Sequence, residues 1–260
     1  MIRPEYKAAV SEKPATLVDL PPDSSLSGAE VRRIRAVYAE RERTHSDIER
    51  SDKLNPGYQH IVHERMHRLE RTLHDSFDRP LSQCRILDIG CGSGHLLGWF
   101  HERGALAANL VGVDLLPNRI RLARETFPKL TFLEGNAESS DFEDGSFDLV
   151  SVFTVFSSIL DATMARNVAQ TMRRILSHHG AVVWYDMRYP NPWNPHLRAM
   201  TKSRIRELFP SFVLELEPVS LLPPVARRLG MLADRAYPLL ASIPLLRSHY
   251  LGLLRPGRRR

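Results

Sequence analysis

Cysteine is scarce in this chain: Cys84 and Cys91 are the two in 260 residues. They flank one predicted strand, which excludes a disulfide framework and leaves no cysteine set for zinc. No run of 18 apolar residues occurs, so no helix is expected to cross a membrane. Residues 1–25 are polar and proline-rich and lack the apolar core of a secretory leader, so a cytoplasmic protein is expected. Lysine is sparse too, five against 31 arginines. The formal net charge is +6, but the basic residues are spread along the chain among acids, which argues against a nucleic-acid groove. Only residues 255–260 form a dense basic cluster, expected as a solvated tail.

The chain does have a hydrophobic content of 43% over a length that suits one α/β domain with attachments. Its most informative stretch is Ile86-Leu87-Asp88-Ile89-Gly90-Cys91-Gly92-Ser93-Gly94-His95-Leu96-Leu97. An apolar run reads as a buried strand, ends in a glycine turn and leads into a helical pattern. Glycines there permit a tight turn and a close approach of ligand to main chain. A lone glycine loop is weak evidence. The next segment strengthens it: Leu110-Val111-Gly112-Val113-Asp114 is a second buried strand, and its terminal acid, 20 residues after Gly94, is placed to accept both hydroxyls of a ribose.

Two further stretches follow in order, Phe132-Leu133-Glu134-Gly135-Asn136-Ala137-Glu138 and Gly145-Ser146-Phe147-Asp148-Leu149-Val150-Ser151-Val152. With these four motifs the chain resembles the class I S-adenosylmethionine-dependent methyltransferases over residues 84–186. The resemblance implies S-adenosylmethionine as cofactor and no metal. It implies a cofactor site of Asp88, Gly90, Cys91, Gly92, Gly94, Asp114, Leu115, Asn136, Ala137 and Phe153. In it the Gly90 carbonyl takes the ammonium with support from Asp88, and Asp114 holds the ribose. Leu115 covers the adenine, and Asn136 and the Ala137 N–H meet its edge. The family more often has Asp where Asn136 stands; an amide oxygen still accepts that hydrogen bond. Phe153 is either pocket wall or core.

The implied fold is α/β: a Rossmann-like seven-stranded, mostly parallel sheet with helices on both faces, an N-terminal helical cap and a helical insertion before the last strand. Strands are expected at 84–89, 109–113, 130–133, 147–153 and 180–186. Phe212 to Glu217 and His249 to Leu254 are expected as the final, antiparallel pair. Residues 1–25 are expected as a loose arm and 26–80 as a cap beside the glycine turn. That cap has helices over 27–50, with Ser27 and Glu30 as a capping pair, and over 58–77. Residues 81–254 then form the methyltransferase domain. Its stretch 219–247, apolar and Arg-studded, is either a packed helical flap or an acceptor lid that meets a lipid-linked substrate or membrane surface.

The acceptor is expected above the C-terminal edge of the sheet. Ser157, Asp186 and Arg188 are the candidate catalytic groups, with Asp186 as base or anchor, or as a structural partner of Arg188. Tyr38, Tyr58, His60 and His63 are candidates to reach the pocket from the cap. His60, His63, His67 and His74 share a helix face without an acid to complete a metal site. His249 reads as a strand histidine rather than a catalytic one. No Asn- or Asp-Pro-Pro-aromatic motif follows the fourth strand and no Pro-Cys nucleophile occurs, so DNA is not an expected target. The leading expectation is O-methylation of a sugar, glycan or other hydroxylated small metabolite. N-methylation of an amino sugar, RNA methylation, and cofactor binding without catalysis are the alternatives.

Overall fold

The computed structural model describes residues 27–257, with backbone alone over 45–53. The expected arm at 1–25 and the last three arginines lie outside the described residues. Seven strands form one sheet in the order β3-β2-β1-β4-β5-β7-β6. They are β1 (Ile86–Ile89), β2 (Leu110–Asp114), β3 (Thr131–Glu134), β4 (Phe147–Phe153), β5 (Leu176–Met187), β6 (Phe212–Leu221) and β7 (Arg247–Pro256). The first five pair in parallel, and β7 runs antiparallel to β5 and β6. β1 and β4 are buried nearly throughout, as central parallel strands covered on both faces must be.

Helices α1 (Gly28–Leu54), α5 (Ala162–Ile175) and α6 (Lys202–Leu208) cover one face. α5 shows why: Met164, Val168, Met172 and Ile175 recur at helical spacing and are buried. Its N-cap Asp161 accepts the Met164 N–H at 2.7 Å. Helices α2 (Pro56–Ser76), α3 (His95–Glu102) and α4 (Pro117–Thr126) cover the other face. α2 begins at Asn55, which accepts the Tyr58 N–H at 3.0 Å, with Pro56 at the first helical position.

Several expectations need correction. β5 starts at Leu176 rather than 180: Leu176 pairs with Phe147, and the register then shifts before Ala181 pairs with Leu149. β7 runs on to Pro256, so Arg255 belongs to the sheet; it donates to Glu215 at 3.0 Å and to the Ser76 carbonyl. The Ser27 hydroxyl donates to Glu138, and the Glu30 carboxylate takes Arg33 instead of closing a capping box. The two N-terminal helices also part company. α1 lies at the glycine-turn end, whereas Leu69 and Leu73 draw α2 onto the sheet. The first turns of α2 pack on the insertion, which holds α7 (Pro223–Arg227) and α8 (Ala233–Ala241).

The α2–α7 contact depends on Gly57, whose Cβ, if present, would run into the Ala226 carbonyl. Gly57→Ala should therefore cost about 1–3 kcal/mol in a urea melt. An unchanged midpoint and slope would contradict this packing.

Candidate active site

An open cleft lies at the C-terminal ends of β1, β2 and β4. Its lining includes Gly90, Asp114, Leu115, Asn136, Ala137 and Phe153. The structure thus brings six of the ten expected cofactor residues to one cavity. Cys91, Gly92 and Gly94 shape the turn without lining the cleft, and Asp88 lies beneath it, 2% exposed.

The turn needs glycine for a reason that can be located. Gly90 has φ +70°, and a Cβ there would stand 2.5 Å from Val155 Cγ2, closing the space between the turn and the loop after β4. Asp114 folds back on the turn. One carboxylate oxygen accepts the Gly92 N–H at 2.8 Å and the other the Leu116 N–H at 2.9 Å. Each oxygen keeps a lone pair, so a vicinal diol is a stereochemically suitable further partner. Burial raises the pKa of Asp114, against the opposing pull of those N–H groups and Arg119.

Asp88 sits deeper. Burial lifts its pKa to about 7; the Ser151 hydroxyl, donating at 2.7 Å, opposes that shift and the Asp114 charge adds to it. A buried carboxyl poised beside a glycine turn suits a cationic ligand group. Cys91 is also pushed up by burial and by both carboxylates, which leaves it a protonated filler packed near Gly112. Asn136 turns its side-chain oxygen to the Glu138 N–H at 3.0 Å, with one lone pair left over.

α1 forms the outer wall. Ile34 and Tyr38 line the cleft, and the Arg119 guanidinium lies 4.8 Å from the Tyr38 ring centre. Glu30 grips the Leu160 and Asp161 N–H groups, Arg33 donates to the Ser158 carbonyl at 2.6 Å, and Tyr38 pairs with the Ser158 hydroxyl at 2.9 Å. Sequence reasoning missed Arg119 and this clasp. Arg119 follows the acidic strand end by five residues and carries a signal only once the cleft is known. Thr154, at the cleft floor, has φ 55°, a conformation a β-branched residue adopts only under constraint.

The expected catalytic trio is placed differently. Asp186 is 1% exposed and accepts the Ser157 N–H at 3.0 Å and the Met187 N–H at 2.7 Å. Burial raises its pKa to about 6, with these donors pulling it down. It ties the end of β5 to the loop after β4, and neither it nor Ser157 lines the cleft. Arg188, offered as its partner, instead donates to the Pro244 carbonyl and lies over Tyr189 and Tyr250.

A different group occupies the space behind Phe153. The Arg65 guanidinium of α2 lies 6.0 Å from the Phe153 ring centre and 5.2 Å from that of Tyr185. Its Nε is buried without a hydrogen-bond partner, and among the described residues no carboxylate lies within ion-pair distance. The neighbouring acids are taken: Glu64 by Arg247 and Tyr237, Glu217 by Arg68. His249 stacks on Tyr185 at 4.6 Å, and burial drives its pKa down to about 3, so it is neutral at pH 7. Of the cap residues expected at the pocket, Tyr38 arrives, while His60 turns away to Asp234 and Tyr237. His63, His67 and His74 are exposed, and among the described residues no cluster of three or more His, Cys, Asp or Glu is arranged to hold a metal ion.

Residues 86–180 match the family described as Methyltransferase domain. A demethylmenaquinone methyltransferase of Lactococcus lactis is 28% identical over 144 residues, 54% of each chain. A phthiotriol/phenolphthiotriol dimycocerosates methyltransferase of Mycobacterium leprae is 31% identical over 130 residues, 49% of this chain and 47% of that one. The chain spans about half the length of these curated relatives. A solved S-adenosylmethionine-dependent methyltransferase from Mesorhizobium loti superposes with a TM-score of 0.52 at 20% identity, over 68% of this chain and 93% of that one, which shows the shared fold. The matched residues and the strand order belong together: residues 86–180 carry a methyltransferase domain, on the fold that the solved S-adenosylmethionine-dependent methyltransferase shares.

Proposed function

We propose that the protein transfers a methyl group from S-adenosylmethionine to a hydroxyl oxygen of a small acceptor: a sugar, a glycan or another hydroxylated metabolite, free or lipid-linked. The observation that carries the reading is the cleft in which the Asp114 carboxylate closes over the glycine turn with a lone pair free on each oxygen. The bound cofactor supplies an electrophilic methyl on a sulfonium. The chain's own residues do the rest. Asp114 holds the ribose hydroxyls, Asp88 with the Gly90 carbonyl receives the ammonium, and Leu115, Asn136 and Ala137 frame the adenine. Ile34 and Tyr38, clasped down by Glu30 and Arg33, keep water from the reacting end.

Arg65 favours oxygen over nitrogen. It stands half-buried behind the cleft wall Phe153, and a guanidinium there without an acid within ion-pair distance disfavours an ammonium and favours an oxygen that sheds its proton. Asp186 acts as a positioning residue for the loop after β4 rather than as the base. Relatives are named for demethylmenaquinone and for phthiotriol/phenolphthiotriol dimycocerosates, which supports a small-molecule or lipid acceptor rather than a nucleic acid.

The test is to incubate the protein with methyl-labelled S-adenosylmethionine and fractionated cell extract. Label in hydroxylated small molecules or lipid-linked glycans, reduced about tenfold or more by Arg65→Met, is the expected result. Label in amines or in RNA would overturn the oxygen assignment.

A further inference from the structure

The insertion between β6 and β7 has a surface that the methyl-transfer reading leaves unused. Residue 247 pairs with 221, and 249 with 187, so the insertion emerges at the C-terminal end of β5, the sheet edge that bears the cleft. Its inward side is accounted for. Ala233, Tyr237 and Ala241 of α8 recur every four residues and are buried, and Tyr237 and Ala241 pack with Ile61, Leu221 and Ala226. Its outward side should then be polar, and it is not. Met231 is 97% exposed, Leu232 67%, Leu239 72%, Ile243 44% and Leu245 75%. Five of the ten exposed large hydrophobic side chains among the described residues fall in these fifteen positions, so this is a patch and not scatter.

Charge identifies what covers the patch. Residues 223–246 carry three arginines against one aspartate. That aspartate, Asp234, is paired with His60. Arg228 and Arg235 are exposed, with no carboxylate within ion-pair distance among the described residues. A second copy of the same face would set arginine against arginine. An anionic lipid surface satisfies both halves, taking the apolar side chains below its headgroups and the guanidinium groups among its phosphates.

We propose that the 223–246 insertion docks the protein on an anionic membrane surface, with the cleft edge facing the lipid. This goes beyond methyl transfer and does not depend on it. A lipid-embedded acceptor would then enter the cleft along the bilayer surface without crossing water.

Co-sedimentation with vesicles tests it, using phosphatidylcholine alone and phosphatidylcholine with about a quarter phosphatidylglycerol. The wild-type chain is expected to bind the anionic vesicles. Arg228→Gln with Arg235→Gln should weaken binding roughly thirtyfold, and only on anionic vesicles. Met231→Glu with Leu239→Glu should reduce it at least as much. Both pairs are exposed, so melting temperature and S-adenosylhomocysteine affinity should stay at wild-type values, which separates this result from any failure of the cofactor site. Absence of wild-type binding to anionic vesicles would overturn the proposal, as would undiminished binding by the glutamate variant. A wild-type dimer in light scattering that the glutamate variant converts to monomer would also overturn it, by assigning the patch to a second copy.

Discussion

Asp114→Ala is expected to weaken S-adenosylhomocysteine binding by about a hundredfold or more while the protein stays folded. The carboxylate would accept two ribose hydroxyls, and each charge-assisted hydrogen bond contributes about 1.5–3 kcal/mol. It also holds the glycine turn through the Gly92 and Leu116 N–H groups, which the alanine variant releases. Asp114→Asn is the milder change, because it sets its NH2 against one of those two N–H groups and leaves the other bonded. It keeps one acceptor oxygen of the same shape and should lose only about tenfold. Calorimetric titration of both variants, with circular dichroism to confirm folding, gives the comparison. Wild-type affinity in a folded alanine variant would remove Asp114 from the site.

The second large effect concerns Asp88, where stability and binding should move in opposite directions. Its pKa rises from an unfolded value near 4 to about 7 in the folded chain, chiefly through burial. The folded state therefore binds the proton more tightly. The stabilisation this gives is fully present below about pH 4 and is lost as pH rises through about 7. Above that pH the wild-type chain carries a buried charge that Asp88→Asn lacks. The variant should be more stable at pH 8 by roughly 2–4 kcal/mol and should show a flatter stability profile between pH 4 and 7. Its affinity for S-adenosylhomocysteine should fall about tenfold or more, because the ammonium loses its counter-charge. Denaturant midpoints across that pH range, beside titrations at pH 8, provide the check. A variant less stable than wild type at pH 8 would contradict the assignment of the shift to burial.

Much of this was legible in the sequence because it is local. The glycine turn, the acid 20 residues beyond it and the buried strand runs are each contiguous in the sequence. What was not legible depends on long-range placement. α2 has a helical stripe in sequence, but only the fold reveals that Leu69 and Leu73 meet the sheet while Gly57 meets Ala226. Asp186 stands near the end of a strand, as a catalytic acid would, yet the Ser157 N–H of a loop 29 residues earlier turns onto it. Arg65 is one of 31 arginines, and its place against Phe153 and Tyr185 with a buried, unpartnered Nε is something no local pattern encodes. The insertion was recognisable as apolar and basic, but its division into an inward alanine-tyrosine side and an outward methionine-leucine side needed the helix to be placed.

The central claim is that the acid-walled cleft holds the nucleoside and amino-acid ends of S-adenosylmethionine. Calorimetric titration of the purified chain with S-adenosylhomocysteine, beside NAD as a second adenosine-bearing ligand, tests this most directly. One S-adenosylhomocysteine site per chain, abolished or severely weakened in Asp114→Ala and not matched by NAD, is the predicted result. Saturable binding of NAD with none of S-adenosylhomocysteine would contradict it.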